Sequence, residues 1–231
     1  MRLQAFLARA GAAPSRRKAE APIRAGRVAV NGETATLSAT VKPEDEVLLD
    51  GIPVHLPDAR VYLALNKPAG VLTTMKDERG RKTVADLMPE VPGLVPAGRL
   101  DRDTTGLLVL TNDGDLAHRI THPSSKIEKQ YHLTLENPVP DEAIAALAAG
   151  PTLEDGKLHP PELSNLSRTA RTTTLDLTIH EGRNRIIRRA CVAVGLRLVS
   201  LRRVRVGPVN LGRLPEGEYR ELKPEELEVL L

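Results

Sequence analysis

The sequence predicts an α+β protein in two parts, and three observations carry that prediction. Short apolar strands and helical patterns alternate irregularly to the end of the chain, without the strict strand–helix repeat of a doubly wound sheet. Residues 52–60 hold Pro53 and Pro57 and read as linker sequence, so the parts are taken as 1–56 and 61–231, joined by 57–60. Hydrophobic residues make up 41% of the chain and aromatic residues only 2%, so the core is aliphatic. Any aromatic side chain in a functional place is therefore noticeable.

The N-terminal part opens with Leu3, Phe6, Leu7 and Ala10 at helical spacing, and Gly11 ends that helix. Ser15 is a good N-cap for a second helix through Arg16, Lys18 and Ile23, which Gly26 ends. Pro22 lies inside this pattern and is expected to kink the helix or end it early. Arg27 to Gly32 reads as a strand and turn, and Val41 with Glu46 to Leu49 completes a small sheet. Six basic residues (Arg9, Arg16, Arg17, Lys18, Arg24, Arg27) face one acid, Glu20, over this stretch. Such a run is more often a solvated helix face than a binding site, although clustered cations also suit a phosphate backbone.

The second part begins with an apolar strand, Val61 to Leu65, running into Asn66-Lys67-Pro68-Ala69-Gly70. Gly98-Arg99-Leu100-Asp101-Arg102-Asp103-Thr104 is an acidic, glycine-marked loop. It leads straight into an apolar strand that ends at an Asn-Asp-Gly turn, residues 112–114. A strand is a rigid platform, so the loop before it holds a carboxylate in one place. Lys126 to Leu135 alternates like a half-buried strand, with Tyr131 among the basic residues Lys126 and Lys129. Asn184 is a candidate helix cap and Gly195 a helix end, with Ile187, Cys191 and Val194 on one face and Arg185, Arg188 and Arg189 beside it. Val199 to Pro208 reads as a basic strand on which Arg203 and Arg205 share a face. The acidic end, Glu221 to Glu228, reads as a solvated helix.

The net charge is only +3, so basic character must come from local patches. Cys191 is the only cysteine, which excludes an intramolecular disulfide and a cysteine-rich metal framework and suits a reducing cytoplasm. No apolar run reaches membrane-spanning length, and the N-terminus lacks the features of a signal peptide.

Four segments resemble a known family in the family's own order. Gly98 to Leu108 is similar to the catalytic motif of RNA pseudouridine synthases of the RsuA/RluB type. Asn-Lys-Pro-x-Gly at 66–70 resembles their opening motif, Lys-x-Tyr at 129–131 their second, and Glu-Gly-Arg-Asn-Arg at 181–185 with Arg188 and Arg189 a third. Ile186 stands where the family commonly has Gln. The first 56 residues resemble an S4-type RNA-binding domain. The resemblance implies a small S4-like (alpha-L) domain followed by a mixed, mainly antiparallel sheet with flanking helices. It also implies an isomerase that breaks the C1′–N1 bond of a flipped-out uridine and rejoins the sugar to C5. By this match Asp101 is the nucleophile, Tyr131 stacks on the base and is a candidate proton acceptor, and Arg188 pairs with Asp101. The RNA contacts implied are Arg9, Arg16, Arg17, Lys18, Arg24, Arg27, Asn66, Lys67, Arg99, Lys129, Arg183, Arg185 and Arg189.

The reaction needs no cofactor and no metal. The implied partner is ribosomal RNA or an assembling subunit, with the large-subunit branch favoured over the small-subunit one. The protein is expected to be a cytoplasmic monomer. Two other classes remain: a catalytically silent RNA-binding or assembly factor, and a metal-dependent hydrolase using Asp101, Asp103, Asp113 and Asp115.

Overall fold

The computed structural model describes residues 1–57 and 59–231. The chain forms two compact units. The first is Met1–Tyr62 with Pro89–Val95 and Thr111–Gly114, and the second holds the remainder. The two added segments of the first unit are not visible in the sequence.

In the first unit, α1 (Leu3–Arg9) buries Leu3, Phe6 and Leu7, and α2 (Arg16–Arg24) buries Ala19 and Ile23. Their three- and four-residue spacing puts these side chains on single faces, which close on Val28, Val41 and Val47. Ser15 caps α2 by accepting from the Lys18 N–H at 3.1 Å. Pro22 does not stop the helix, contrary to expectation. It lies in the last turn, where it forgoes one hydrogen bond while the Ala25 N–H still reaches the Ala21 carbonyl. Strands β1 (Val28–Val30), β2 (Glu33–Thr34), β3 (Val47–Leu49) and β4 (Ile52–Pro53) pair in the order β2-β1-β3-β4. β4 corrects the linker reading of residues 52 and 53, which pair with Leu49 and Leu48. It is an edge strand, where a proline is tolerated.

The added segments are tied to this unit by close contacts. Gly93 has φ +72°, and a Cβ there would lie 2.2 Å from the Arg9 carbonyl oxygen. Only glycine permits that approach. Asp113 is buried and accepts from Arg60 at 2.8 Å and from the Tyr62 hydroxyl at 3.1 Å.

The second unit is built on one mixed sheet. Its long strands are β5 (Tyr62–Lys67), β7 (Thr105–Thr111), β8 (Lys129–Glu136), β11 (Glu162–Arg168), β12 (Thr172–Ile179) and β13 (Leu198–Val206). Short ones are β6 (Val95–Pro96), β14 (Val209–Asn210) and β15 (Tyr219–Glu221), and a separate hairpin joins β9 (Thr152–Leu153) to β10 (Gly156–Lys157). The order is β11-β12-β8-β13-β7-β5-β15, with β13 parallel to β7 and antiparallel to β8. Helices α3 (Gly114–Thr121), α4 (Asp141–Ala148), α5 (Ile186–Ala193) and α6 (Pro224–Leu230) complete the element order.

The main core lies between α5 and one face of the sheet. Leu133, Leu135, Leu175, Leu177 and Leu201 alternate onto that face and meet Ile187 and Cys191 from α5. Burial pushes the Cys191 thiol up to about 12, so it is a core residue and not a nucleophile. The acidic end is less solvated than its composition suggests. Glu226 is buried against Arg220, with contacts of 2.7 and 2.8 Å, and Leu230 is buried beside it.

Candidate active site

A cleft of about 620 Å³ opens within the second unit. Asp101, Lys129, Tyr131, Arg185, Arg188 and Arg203 line it. The same alternation that buries Leu133 and Leu135 puts Tyr131 and Lys129 on the α5 side of β8. Arg188 comes from α5 itself, and Asp101 from the loop entering β7. The three side chains that the sequence marks for chemistry therefore line a single cleft.

The Asp101 backbone is clamped on both flanks. The Thr73 hydroxyl donates to the Leu100 carbonyl at 2.7 Å and accepts from the Leu100 N–H at 3.2 Å. On the other flank, Lys67 Nζ donates to the carbonyls of Pro68, Val71 and Arg102 at 2.8, 2.9 and 3.3 Å, and the Gly70 N–H also reaches the Arg102 carbonyl. The Thr104 N–H closes the turn onto the Asp101 carbonyl. Burial pulls the Lys67 ammonium down to about 8, while the negative charges of Asp103 and Asp101 oppose that shift.

Two arginines face the Asp101 carboxylate. Arg185 Nη1 lies 3.6 Å and Arg188 Nε 3.8 Å from Oδ2. The pairing of Arg188 with Asp101 implied by the resemblance is thus shared with Arg185, as two loose contacts to one oxygen. Arg188 also donates to the Thr104 hydroxyl at 3.3 Å, and its buried Nε has no hydrogen-bond partner among the described residues. Asn184 does not cap α5 as expected. The N-cap is Arg185, in the left-handed region at φ 49°, with no side-chain cap. A non-glycine residue held there stores strain, and such strain gathers at functional sites.

That backbone is splinted by the β9–β10 hairpin. Arg183 donates to the Asp155 carboxylate at 2.8 Å and to the carbonyls of Asp155, Gly156 and Lys157. Arg189 grips the same carboxylate through two contacts of 2.8 Å. The Arg189 guanidinium holds the Asp155 carboxyl below the usual carboxylate range. Arg183 and Arg189 are therefore committed to internal partners rather than free for RNA.

Asn66 and Lys67 also take a different task from the expected RNA contact. Both are fully buried and bond to main-chain carbonyls, Asn66 to that of Leu214 at 2.7 Å. Arg99 is exposed on the cleft lining. In the first unit, Arg16, Arg17 and Lys18 are exposed, and neither they nor Arg9 form an ion pair among the described residues. Arg24 is paired with Glu20 and Arg27 with Asp50.

Three site residues escape the sequence reading. Thr73 and Asp155 carry no local signal, because their roles arise from contacts distant in sequence. Arg203 is hidden by a β-bulge. It stands opposite Tyr131 while Arg205 stands opposite Gln130, so the two arginines point to opposite faces rather than sharing one. Among the described residues, no group of three or more His, Cys, Asp or Glu side chains is placed to hold a metal ion.

A carboxylate beside two arginines thus shares its cleft with a tyrosine from β8, and a basic helical module lies in the same chain. The chain belongs to the RNA pseudouridylate synthase family, whose pattern matches residues 61–193, and an S4 domain matches residues 1–47. It is 42% identical to the ribosomal large subunit pseudouridine synthase B of Bacillus subtilis, over 99% of this chain and 95% of that protein. The protein of the same name from Vibrio cholerae is 39% identical over 99% of this chain and 74% of its own length. A crystal structure of a pseudouridylate synthase superposes with a TM-score of 0.72 at 36% identity, covering both chains completely.

Proposed function

We propose that this protein converts one uridine of large-subunit ribosomal RNA into pseudouridine, with Asp101 as the reacting carboxylate. The observation that carries the reading is the Asp101 carboxylate, carried on a clamped backbone and set beside Arg185 and Arg188 in a cleft shared with Tyr131. The relatives' names support the choice of RNA.

The target nucleotide leaves its stack and enters the cleft, where Tyr131 offers a flat surface to the base. Two guanidinium groups face the Asp101 carboxylate and turn it toward the sugar. The C1′–N1 bond breaks, the freed uracil rotates, and C5 bonds to C1′. The C5 proton then leaves, with Tyr131 or a water as acceptor, and N1 takes up a proton in its place. Electrons and atoms balance within the nucleotide, so the chemistry calls for no cofactor. The enzyme acts in the cytoplasm on ribosomal RNA or an assembling subunit. No helix among the described residues is long and apolar enough to cross a membrane.

The test is pseudouridine mapping of total ribosomal RNA from wild type, a strain lacking the gene, and that strain carrying Asp101→Asn. One modified position disappears with the gene and does not return with the variant. Purified Asp101→Asn still binds the RNA with near wild-type affinity. Pseudouridine restored by the variant overturns the assignment.

A further inference from the structure

We propose that Lys129 and Arg203 form a subsite for the uracil oxygens and stabilise the base as an anion when the glycosidic bond breaks. The inference rests on the pseudouridine reading and adds the leaving-group half of the reaction to it.

Lys129 and Tyr131 are two residues apart on β8, so their side chains share a face about 7 Å apart along the strand. Arg203 stands directly opposite Tyr131 in the β13–β8 register, which puts it on the same face. All three line the cleft. The two cations therefore flank the ring on which the base is proposed to stack.

Both cations are buried, and neither is neutralised. Lys129 is 9% exposed and Arg203 6%. Arg203 uses Nε to reach the Leu107 carbonyl at 2.7 Å, which leaves its terminal nitrogens without a protein acceptor among the described residues. Lys129 Nζ donates to no described group and forms no ion pair, in contrast to Lys67, whose ammonium reaches three carbonyls. Desolvation, reinforced by the Arg203 charge, pulls Lys129 down to about 8. Two adjacent buried cations without a negative partner are costly for a folded protein, and a ligand that brings negative charge relieves that cost.

Depth selects the part of the nucleotide. The Asp101 side chain, which meets the sugar, is 28% exposed, so both cations lie deeper than the reacting carboxylate. A nucleotide with its sugar at Asp101 has its phosphates toward solvent and its base toward Lys129 and Arg203. The chemistry supplies the charge. As the C1′–N1 bond breaks, its electron pair goes to uracil and spreads over N1, O2 and O4. The sugar carbon bonds to the Asp101 carboxylate, or C2′ gives it a proton. When C1′ bonds to C5 the ring is neutral again, and loss of the C5 proton is matched by protonation of N1.

The experiment is single-turnover conversion of a transcript spanning the mapped uridine, with uridine or 5-fluorouridine at that position. Lys129→Met and Lys129→Arg are compared with wild type, and melting temperatures check folding. At saturating RNA, Lys129→Met is slowed about 100-fold, in the range for removal of one oxyanion donor. Its RNA Kd stays within about twofold of wild type, because the substitution removes no group that touches phosphate. Lys129→Arg, which keeps the charge, retains more of the rate. On 5-fluorouridine RNA, followed as loss of the N-linked nucleoside, the Lys129→Met defect shrinks, because fluorine itself stabilises the departing anion.

An equal defect on both RNAs overturns the leaving-group role. A wild-type rate at saturation, with a weaker Kd and a shallower salt dependence, shows a phosphate contact instead and overturns the subsite. If wild-type enzyme leaves no pseudouridine in ribosomal RNA, the functional reading falls and this inference with it. That outcome is seen before any variant is made.

Discussion

Lys129 and Lys67 are both buried ammonium groups, and what their Nζ atoms touch separates their roles. Lys67 is satisfied by three carbonyls and holds the Asp101 loop, whereas Lys129 has no acceptor among the described residues and opens on the cleft. A site kept at the expense of stability gains stability when it is dismantled. Lys129→Met keeps a long apolar side chain and removes the charge, so at pH 7 it is expected to be about 1 kcal/mol more stable than wild type while losing activity. The pH dependence follows from the direction of the shift. Lys129 falls from 10.5 to about 8 in the folded protein. Below pH 8 both states hold the proton and the folded state bears the full cost. Between pH 8 and 10.5 the unfolded chain binds more protons than the folded one, so wild-type stability rises relative to the variant. Melting curves of both proteins from pH 7 to 10.5 should converge as pH rises. A constant gap, or a variant less stable at pH 7, refutes the cost assigned to the buried charge.

The position of Arg203 depends on how two elements meet. β13 runs beside β7 with Arg203 paired to Gly106. Gly106 has φ +99°, and a Cβ there would lie 2.2 Å from the Arg203 carbonyl oxygen. Both the backbone angle and the close approach exclude a side chain. Gly106→Ala is expected to cost about 2–3 kcal/mol, from overpacking and strain together. Denaturant unfolding measures it, and a cost below about 0.5 kcal/mol would mean that the strands part without penalty. The glycine itself was legible as part of the Gly98–Leu108 motif; its reason was not, because Arg203 is far away in sequence. The same distinction runs through the site. Asp101, Tyr131 and Arg188 were legible through motifs that resemble the family's; periodicity placed them on a loop, a strand and a helix but gave them no role. The left-handed cap at Arg185, the bulge after Arg203 and the Asp155 splint depend on pairings that form only when distant segments meet. Pro22 fails as a helix breaker for the opposite reason: its position in the last turn matters more than its residue type.

At the scale of the whole molecule, the question is where RNA affinity resides. Arg16, Arg17 and Lys18 open α2, and no acidic residue lies in that first turn. Cations at a helix N-terminus oppose the macrodipole, so the helix gains nothing from them. Their exposure, and the lack of an ion pair among the described residues, leaves them available for phosphate. Arg24 and Arg27, read from sequence as equal members of the cluster, are already engaged by Glu20 and Asp50. The basic run was legible in the sequence, but its division into engaged and available charges was not. Removing residues 1–56 is a poor test of this surface, because Pro89–Val95 and Thr111–Gly114 belong to the same compact unit and would lose their packing. Replacing Arg16, Arg17 and Lys18 together by alanine leaves the buried face of α2 intact. Each cation withdrawn from a phosphate lowers the slope of log affinity against log salt by roughly 0.7 on single strands and 0.9 on a duplex, so the triple variant should lower it by about 2 to 3. The rate at saturating RNA should remain that of wild type, since none of the three residues lines the cleft. An unchanged slope would show that α2 does not touch phosphate, and the affinity would then have to come from arginines of the second unit.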